Sequence, residues 1–181
     1  MHIQPLTIPD IVLMTPKAHQ DERGFFMESF NLRSFAQAIN GRYGFVQDNH
    51  SHSKKQVLRG LHYQFRQPQG KLIRVLQGSI YDVVVDLRQS SATFGQWLGV
   101  ELSAASQQQL WIPPGFAHGF LTLTESSDVL YKTTDYYRPE DEHCIRWDDT
   151  HLAIAWPLQG PPMLSQKDQQ GVPFSQAQLF G

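Results

Sequence analysis

Within Val57-Leu58-Arg59-Gly60-Leu61-His62-Tyr63-Gln64, an arginine, a histidine and a tyrosine fall inside five positions of an otherwise apolar stretch. A second histidine, His118, follows Pro113-Pro114-Gly115-Phe116-Ala117, and a Lys167-Asp168 pair comes near the end. Histidine titrates near neutral pH and so serves as a base. Guanidinium groups bind phosphate oxygens through parallel hydrogen bonds. Together these residues predict a pocket for an anionic ligand with a histidine base inside it. Each also has a plainer reading. His62 reads as a structural strand histidine, His118 as a hydrogen-bonded loop residue, Lys71 as a surface lysine after a glycine turn, and Tyr131 as a half-buried strand tyrosine.

The chain that must position them has 181 residues, 40% of them apolar and 12% aromatic, enough for one folded domain over residues 1–181. A net charge of −2 without any run of lysine or arginine argues against a nucleic-acid surface, so basic groups must converge locally. No apolar run approaches the ~20 residues that span a bilayer, and the start Met1-His2-Ile3-Gln4-Pro5 lacks the pattern of a secretion signal. The one cysteine, Cys144, excludes an intramolecular disulfide and suits a cytoplasmic location; its plain reading is a small residue packed in a strand.

Turns punctuate short apolar or alternating runs. Strands are expected at Ile11–Met14, Gly24–Phe30, Phe45–Asn49, Val57–Gln64, Leu72–Leu76, Ile80–Leu87, Leu98–Leu102, Gln109–Ile112, Phe120–Leu123 and Val129–Thr133. One short helix is expected near residues 31–40, with Asn31 as N-cap, Leu32, Phe35 and Ile39 on one face, and Gly41 as the stop. Asp82 and Asp86 share a face opposite Tyr81, Val83, Val85 and Leu87. A solvated face is the favoured reading for the two aspartates, and pocket lining is the alternative. Many short strands with almost no helix indicate an all-β sandwich or barrel, and the Pro-, Gln- and Gly-containing tail from Pro157 is expected to wrap the surface.

In order along the chain stand Asp21-Glu22-Arg23-Gly24-Phe25-Phe26, Gln47-Asp48-Asn49-His50-Ser51, Leu58-Arg59-Gly60-Leu61-His62-Tyr63-Gln64, Gln69-Gly70-Lys71-Leu72, Pro114-Gly115-Phe116-Ala117-His118-Gly119-Phe120 and Leu164-Ser165-Gln166-Lys167-Asp168. This series resembles the dTDP-4-dehydrorhamnose 3,5-epimerase family from about residue 3 to residue 170. The resemblance implies a cupin-type jelly roll with a minor C-terminal extension, a homodimer, a dTDP-4-keto-6-deoxy sugar as substrate, and no metal or organic cofactor. It implies His62 as the base with Asp168 as its partner, Tyr131 as proton donor, and Lys71 and His118 holding charge on the ketone oxygen. Arg23, Arg59 and Lys167 would meet the diphosphate. Glu28, Gln47, Asn49 and Glu142 would give directional polar contacts, and Phe26 and Tyr137 would offer aromatic faces to the base. Met27, where an aromatic is frequent, and His19-Gln20 depart from the family pattern without touching this chemistry.

Strand geometry complicates the picture. Residues three or five apart point to opposite faces, so Arg59 should diverge from His62, and Arg23 from Glu28. A bulge at Gly60 is expected to re-aim Arg59, and a second chain is expected to supply one of Arg23 and Glu28. Three other functions compete. A metal-dependent cupin would need a paired histidine where His62-Tyr63-Gln64 stands, so its ligand set is incomplete. A sugar-nucleotide epimerase acting at C3 or C5 alone, or a ketoisomerase, would share the fold and nucleotide site. A non-catalytic carbohydrate-binding module would have no need of His62, Asp168 and Tyr131 together.

Overall fold

Short apolar runs cut by Gly, Pro and Asn leave little room for helix. The computed structural model, which describes residues 1–181 apart from the side chain of Pro5, is accordingly built of strands. Two antiparallel sheets face each other. The six-stranded sheet comprises β1 (His2–Pro5), β2 (Val12–Thr15), β5 (Gln47–Lys54), β7 (Lys71–Gln77), β10 (Gln109–Ile112) and β12 (Ser126–Thr133), in the order β1-β2-β10-β7-β12-β5. The five-stranded sheet comprises β6 (Leu58–Gln64), β8 (Ser79–Asp86), β9 (Trp97–Ser103), β11 (Phe116–Thr122) and β13 (Glu142–Cys144), in the order β13-β6-β11-β8-β9. A separate hairpin pairs β3 (Ala18–Asp21) with β4 (Gly24–Met27). The jelly-roll expectation holds.

The core between the sheets is aliphatic, with Leu13, Ile73, Val75, Ile80, Val84, Leu110 and Val129 meeting Phe116 and Phe120. Helix α1 (Leu32–Ala38) lies where the sequence places it. The Asn31 side chain accepts hydrogen bonds from the Arg33 and Ser34 N–H groups at 3.0 and 3.1 Å, closing its first turn. Its buried Phe35 packs edge-on against Trp111, with ring centroids 5.1 Å apart, and covers part of the outer face of the six-stranded sheet.

One expectation about β8 is corrected. Asp82 and Asp86 are fully buried, because that face of the strand turns inward. The opposite face is covered as well: Val83, Val85 and Leu87 lie under Leu152 and Phe174, with Trp156, Leu179 and Phe180 alongside. The tail thus does wrap the molecule, and by doing so it makes both faces of the strand interior. Burial opposes ionisation of Asp86, but hydrogen bonds from Arg88, Ser91 and Thr93 overcome it and hold the carboxyl at about 2. Some boundaries also move. β4 stops at Met27 instead of reaching Phe30, β11 starts at Phe116 instead of Phe120, and β5 runs on to Lys54 through a polar stretch without apolar alternation.

The bulge is where it is needed. Across β6 and β11, His62 stands opposite His118 while Arg59 stands opposite Phe120, so three steps on one strand match two on the other. The two backbones meet at a pair of glycines. A Cβ on Gly60, whose φ is +125°, would lie 2.5 Å from the Gly119 Cα, and a Cβ on Gly119 would lie 2.7 Å from the Arg59 carbonyl oxygen. Replacing Gly119 with alanine is therefore expected to destabilise the fold by about 1–3 kcal/mol, the usual cost of forcing atoms into a closed site. Chemical denaturation would register it as a lower midpoint with an unchanged slope.

Candidate functional site

A cavity of about 290 Å³ opens between the sheets, and both contribute to its walls. From the five-stranded sheet come Arg59, His62, His118 and Glu142; from the six-stranded sheet come Asn49, Lys71 and Tyr131; Tyr137 follows β12 at the rim. The alternation of each strand selects these residues. On β12, Val129 and Tyr131 point inward together, and on β5 the inward set is Gln47, Asn49, Ser51 and Ser53. The bulge turns Arg59 into the same cavity as His62. There its Nε donates to Ser53 Oγ at 3.0 Å and a terminal nitrogen donates to the His52 carbonyl at 3.2 Å.

Behind His62 stands Asp168, buried, with Oδ1 2.7 Å from His62 Nε2. The carboxylate lies off the axis of the ring N–H, so this close contact is not a linear hydrogen bond. Asp168 comes from the short helix α2 (Gln166–Gln169) and is fixed independently of the histidine. The Gly60 N–H donates to it at 3.0 Å and the Ser165 hydroxyl at 2.6 Å. Burial works against its charge, but His62, Ser165 and Gly60 together keep its pKa at about 2. With Asp168 at Nε2, the other ring nitrogen, Nδ1, lies 3.9 Å from Glu142 Oε1 in the cavity wall.

Lys71 is half-buried over its length, and burial of its ammonium lowers its pKa to about 8 although Glu142 and Asp82 partly restore it. Its Nζ donates to the His62 carbonyl at 3.4 Å. The buried His118 places Nε2 2.9 Å from Asp82 Oδ2. Burial moves His118 below the usual histidine range; Asp82 opposes the shift, and Lys71 and His62 add to it. At neutral pH the resting imidazole is thus the neutral form, and the cation facing it is Lys71. Burial raises the Tyr131 phenol, with Glu142 adding to the effect.

Glu142, in a charged turn by sequence, proves well anchored. It pairs with Lys167 and accepts from the Tyr137 hydroxyl at 2.6 Å. Burial favours its neutral form, but these two donors outweigh burial and its pKa falls below the ordinary value. Gln47 reaches the site indirectly, donating to Asn49 Oδ1 at 2.8 Å and accepting from the Tyr137 N–H at 3.1 Å. Six of the residues singled out from sequence are not among those lining the cavity: Gln47, Asp168 and Lys167 act through the lining residues they touch, and three others lie away from it. Arg23 on the β3–β4 hairpin pairs with Asp21, Phe26 is 75% exposed, and Glu28 accepts from the Asn31 side chain. Sequence reasoning missed Asp82 as the partner of His118. Its position opposite a run of apolar residues was the available signal.

The model of the family described as dTDP-4-dehydrorhamnose 3,5-epimerase matches residues 5–176. Curated relatives with that name include one from Pseudomonas aeruginosa, 56% identical over 97% of each chain. Another, from Salmonella typhimurium, is 53% identical over 95% of this chain and 94% of its own. Among solved structures, the chain is similar to dTDP-6-deoxy-D-glucose-3,5-epimerase from Legionella pneumophila, solved in complex with dTDP-4-keto-L-rhamnose. That match has a TM-score of 0.95 and 48% identity, covering 98% of this chain and 94% of the other. A cupin-type jelly roll, a histidine–aspartate pair at the floor of an intersheet cavity, and identity above one half along nearly the full length lead to one conclusion: the chain belongs to the dTDP-4-dehydrorhamnose 3,5-epimerase family.

Proposed function

We propose that the chain epimerises dTDP-4-dehydro-6-deoxy-D-glucose at C3 and C5, giving dTDP-4-dehydro-L-rhamnose, with His62 as base and Tyr131 as acid. A proton beside the C4 ketone passes to His62 Nδ1, and the electron pair it leaves becomes the enolate, with charge on the C4 oxygen. Asp168 fixes the ring tautomer and stabilises the imidazolium. Lys71 faces the developing oxyanion as a preorganised donor, the type of group that gives the largest catalytic effect, and His118, whose Nε2 meets Asp82, joins it as a donor when it carries its second proton. Tyr131 then delivers a proton to the opposite face of the carbon. The observation that carries this reading is the presence of His62 and Tyr131, from different sheets, in one cavity.

Arg59 and Lys167 are assigned to the diphosphate, with Gln47, Asn49 and Glu142 giving polar contacts and Tyr137 an aromatic face. Arg23, Phe26 and Glu28 act from the second chain of a homodimer, which accounts for an exposed aromatic and an exposed arginine on a projecting hairpin. Residues 1–181 work as one domain, since Asp168 of the tail completes a site built on β6. Among the described residues no helix is long and apolar enough to cross a membrane, and the proposed location is cytoplasmic.

Turnover in deuterated water tests the reaction. The expected product carries deuterium at both C3 and C5; exchange at one carbon only would replace this reading with that of a single-site epimerase. In the Tyr131→Phe variant, exchange is expected to outrun inversion, because His62 still removes a proton while delivery to the far face is impaired.

A further inference from the structure

The rear of the catalytic histidine holds a set of groups that proton transfer leaves unused. Cys144 lies on β13 directly across from His62 on β6. His62, Cys144 and Asp168 each present a ligand atom, one nitrogen, one sulfur and one oxygen, all within 4.8 Å of one another. His62 Nε2 is buried, with Asp168 Oδ1 2.7 Å away as its close partner. Cys144 also lines a second cavity, about 330 Å³, bounded by Glu142, Lys167, Val172 and Gln176, which shares the walls Tyr63 and Glu142 with the sugar cavity. Solvent can therefore approach the thiol from this side, past Glu142 and Lys167.

We infer that His62, Cys144 and Asp168 form an inhibitory site for a thiophilic divalent cation of the zinc class, entered through this rear cavity. The donor set has the nitrogen, thiolate and carboxylate character that such an ion takes in near-tetrahedral geometry, with water as a fourth ligand. Because Asp168 stands at Nε2, that is the imidazole nitrogen the ion takes. The thiol proton leaves to solvent and the sulfur binds as thiolate. A neutral imidazole bound through Nε2 keeps its single proton on Nδ1, the nitrogen facing the cavity, so His62 can no longer accept one. Zinc thus removes the base.

In the resting protein, burial together with Asp168 and Glu142 pushes the Cys144 thiol up to about 12, so it is protonated and unreactive. Loading must displace that proton and is expected to tighten as pH rises. The loss of activity rests on His62 being the base; the binding itself does not.

The experiment titrates metal-stripped protein with Zn²⁺ against a chromophoric chelator, records the Co²⁺ spectrum, and measures turnover with and without Zn²⁺. One ion per chain is expected, together with a thiolate-to-cobalt charge-transfer band, a lower kcat at little-changed KM, and recovery on chelation. Cys144→Ala should keep its basal kcat, lose the band, and bind zinc at least ~10-fold more weakly, the lower end of what even an outer-shell change costs. His52→Ala is the control, since His52 and Asp128 make an exposed pair 2.7 Å apart that could hold zinc adventitiously. Equal binding by the Cys144→Ala variant, absence of the cobalt band, or inhibition that raises KM alone would each overturn the proposal. If the protein proved inactive on the sugar nucleotide, the chelator and cobalt measurements would still decide the site.

Discussion

Replacing His62 with alanine is expected to lower kcat at least ~100-fold, within the 10²–10⁴ range typical of positioned acid–base groups, while KM changes little. The ring does not hold the cavity open. Its neighbours Lys71 and Tyr131 are anchored on other strands, Arg59 is held by Ser53 and the His52 carbonyl, and Asp168 keeps its hydrogen bonds from Gly60 and Ser165 when the imidazole is gone. Steady-state kinetics separates this outcome from a binding defect. A His62→Ala enzyme with normal kcat would remove the imidazole from the chemistry altogether. Asp168→Asn should show a smaller loss, because the amide preserves volume and position but cannot stabilise an imidazolium. An amide there also leaves the proton on Nε2 unspecified, so the variant reports on tautomer control separately from proton transfer.

Lys71→Met is the second large effect, an expected loss of ~10²–10³-fold in kcat, the scale for removing one preorganised donor from an oxyanion site. The side-chain length is nearly preserved while the charge disappears. The titration of Lys71 gives an independent check. With burial lowering its pKa to about 8, the ammonium is charged below that value and loses its charge as pH rises through it. The alkaline limb of kcat/KM, which reports the free enzyme, should therefore fall near pH 8. Lys71→Arg should move that limb upward, since a guanidinium stays protonated throughout. An unchanged limb would assign it to another group. His118 is expected to matter less to charge, because burial keeps its resting form neutral.

The roles of the site residues were legible only through the series of motifs, because His62 and Tyr131 taken alone read as structural residues of a strand. Their convergence was partly legible. Gly60 and Gly119 have no side chains to keep β6 and β11 apart, and the bulge expected from Gly60 is present. The location of Asp82 and Asp86 was misread, since period-two alternation separates two faces of a strand without saying whether either meets water. That depended on residues after Leu152 folding back over β8, a contact between distant segments that local pattern does not encode. The polar β5 was cut short for a related reason. Its inward Gln47, Asn49 and Ser51 line a cavity, so the strand carries no hydrophobic signature.

The tail that delivers Asp168 also shields Val83, Val85 and Leu87, so one segment governs both competence and solubility. During synthesis, every strand of the sandwich leaves the ribosome before the carboxylate that completes the dyad. A nascent or nicked chain severed ahead of Asp168 also lacks Phe174, Leu179 and Phe180, so part of that apolar sheet face is uncovered when turnover is absent. Cellular proteases and chaperones would meet such a fragment as a misfolded one, and inactive copies would be cleared without any dedicated sensor.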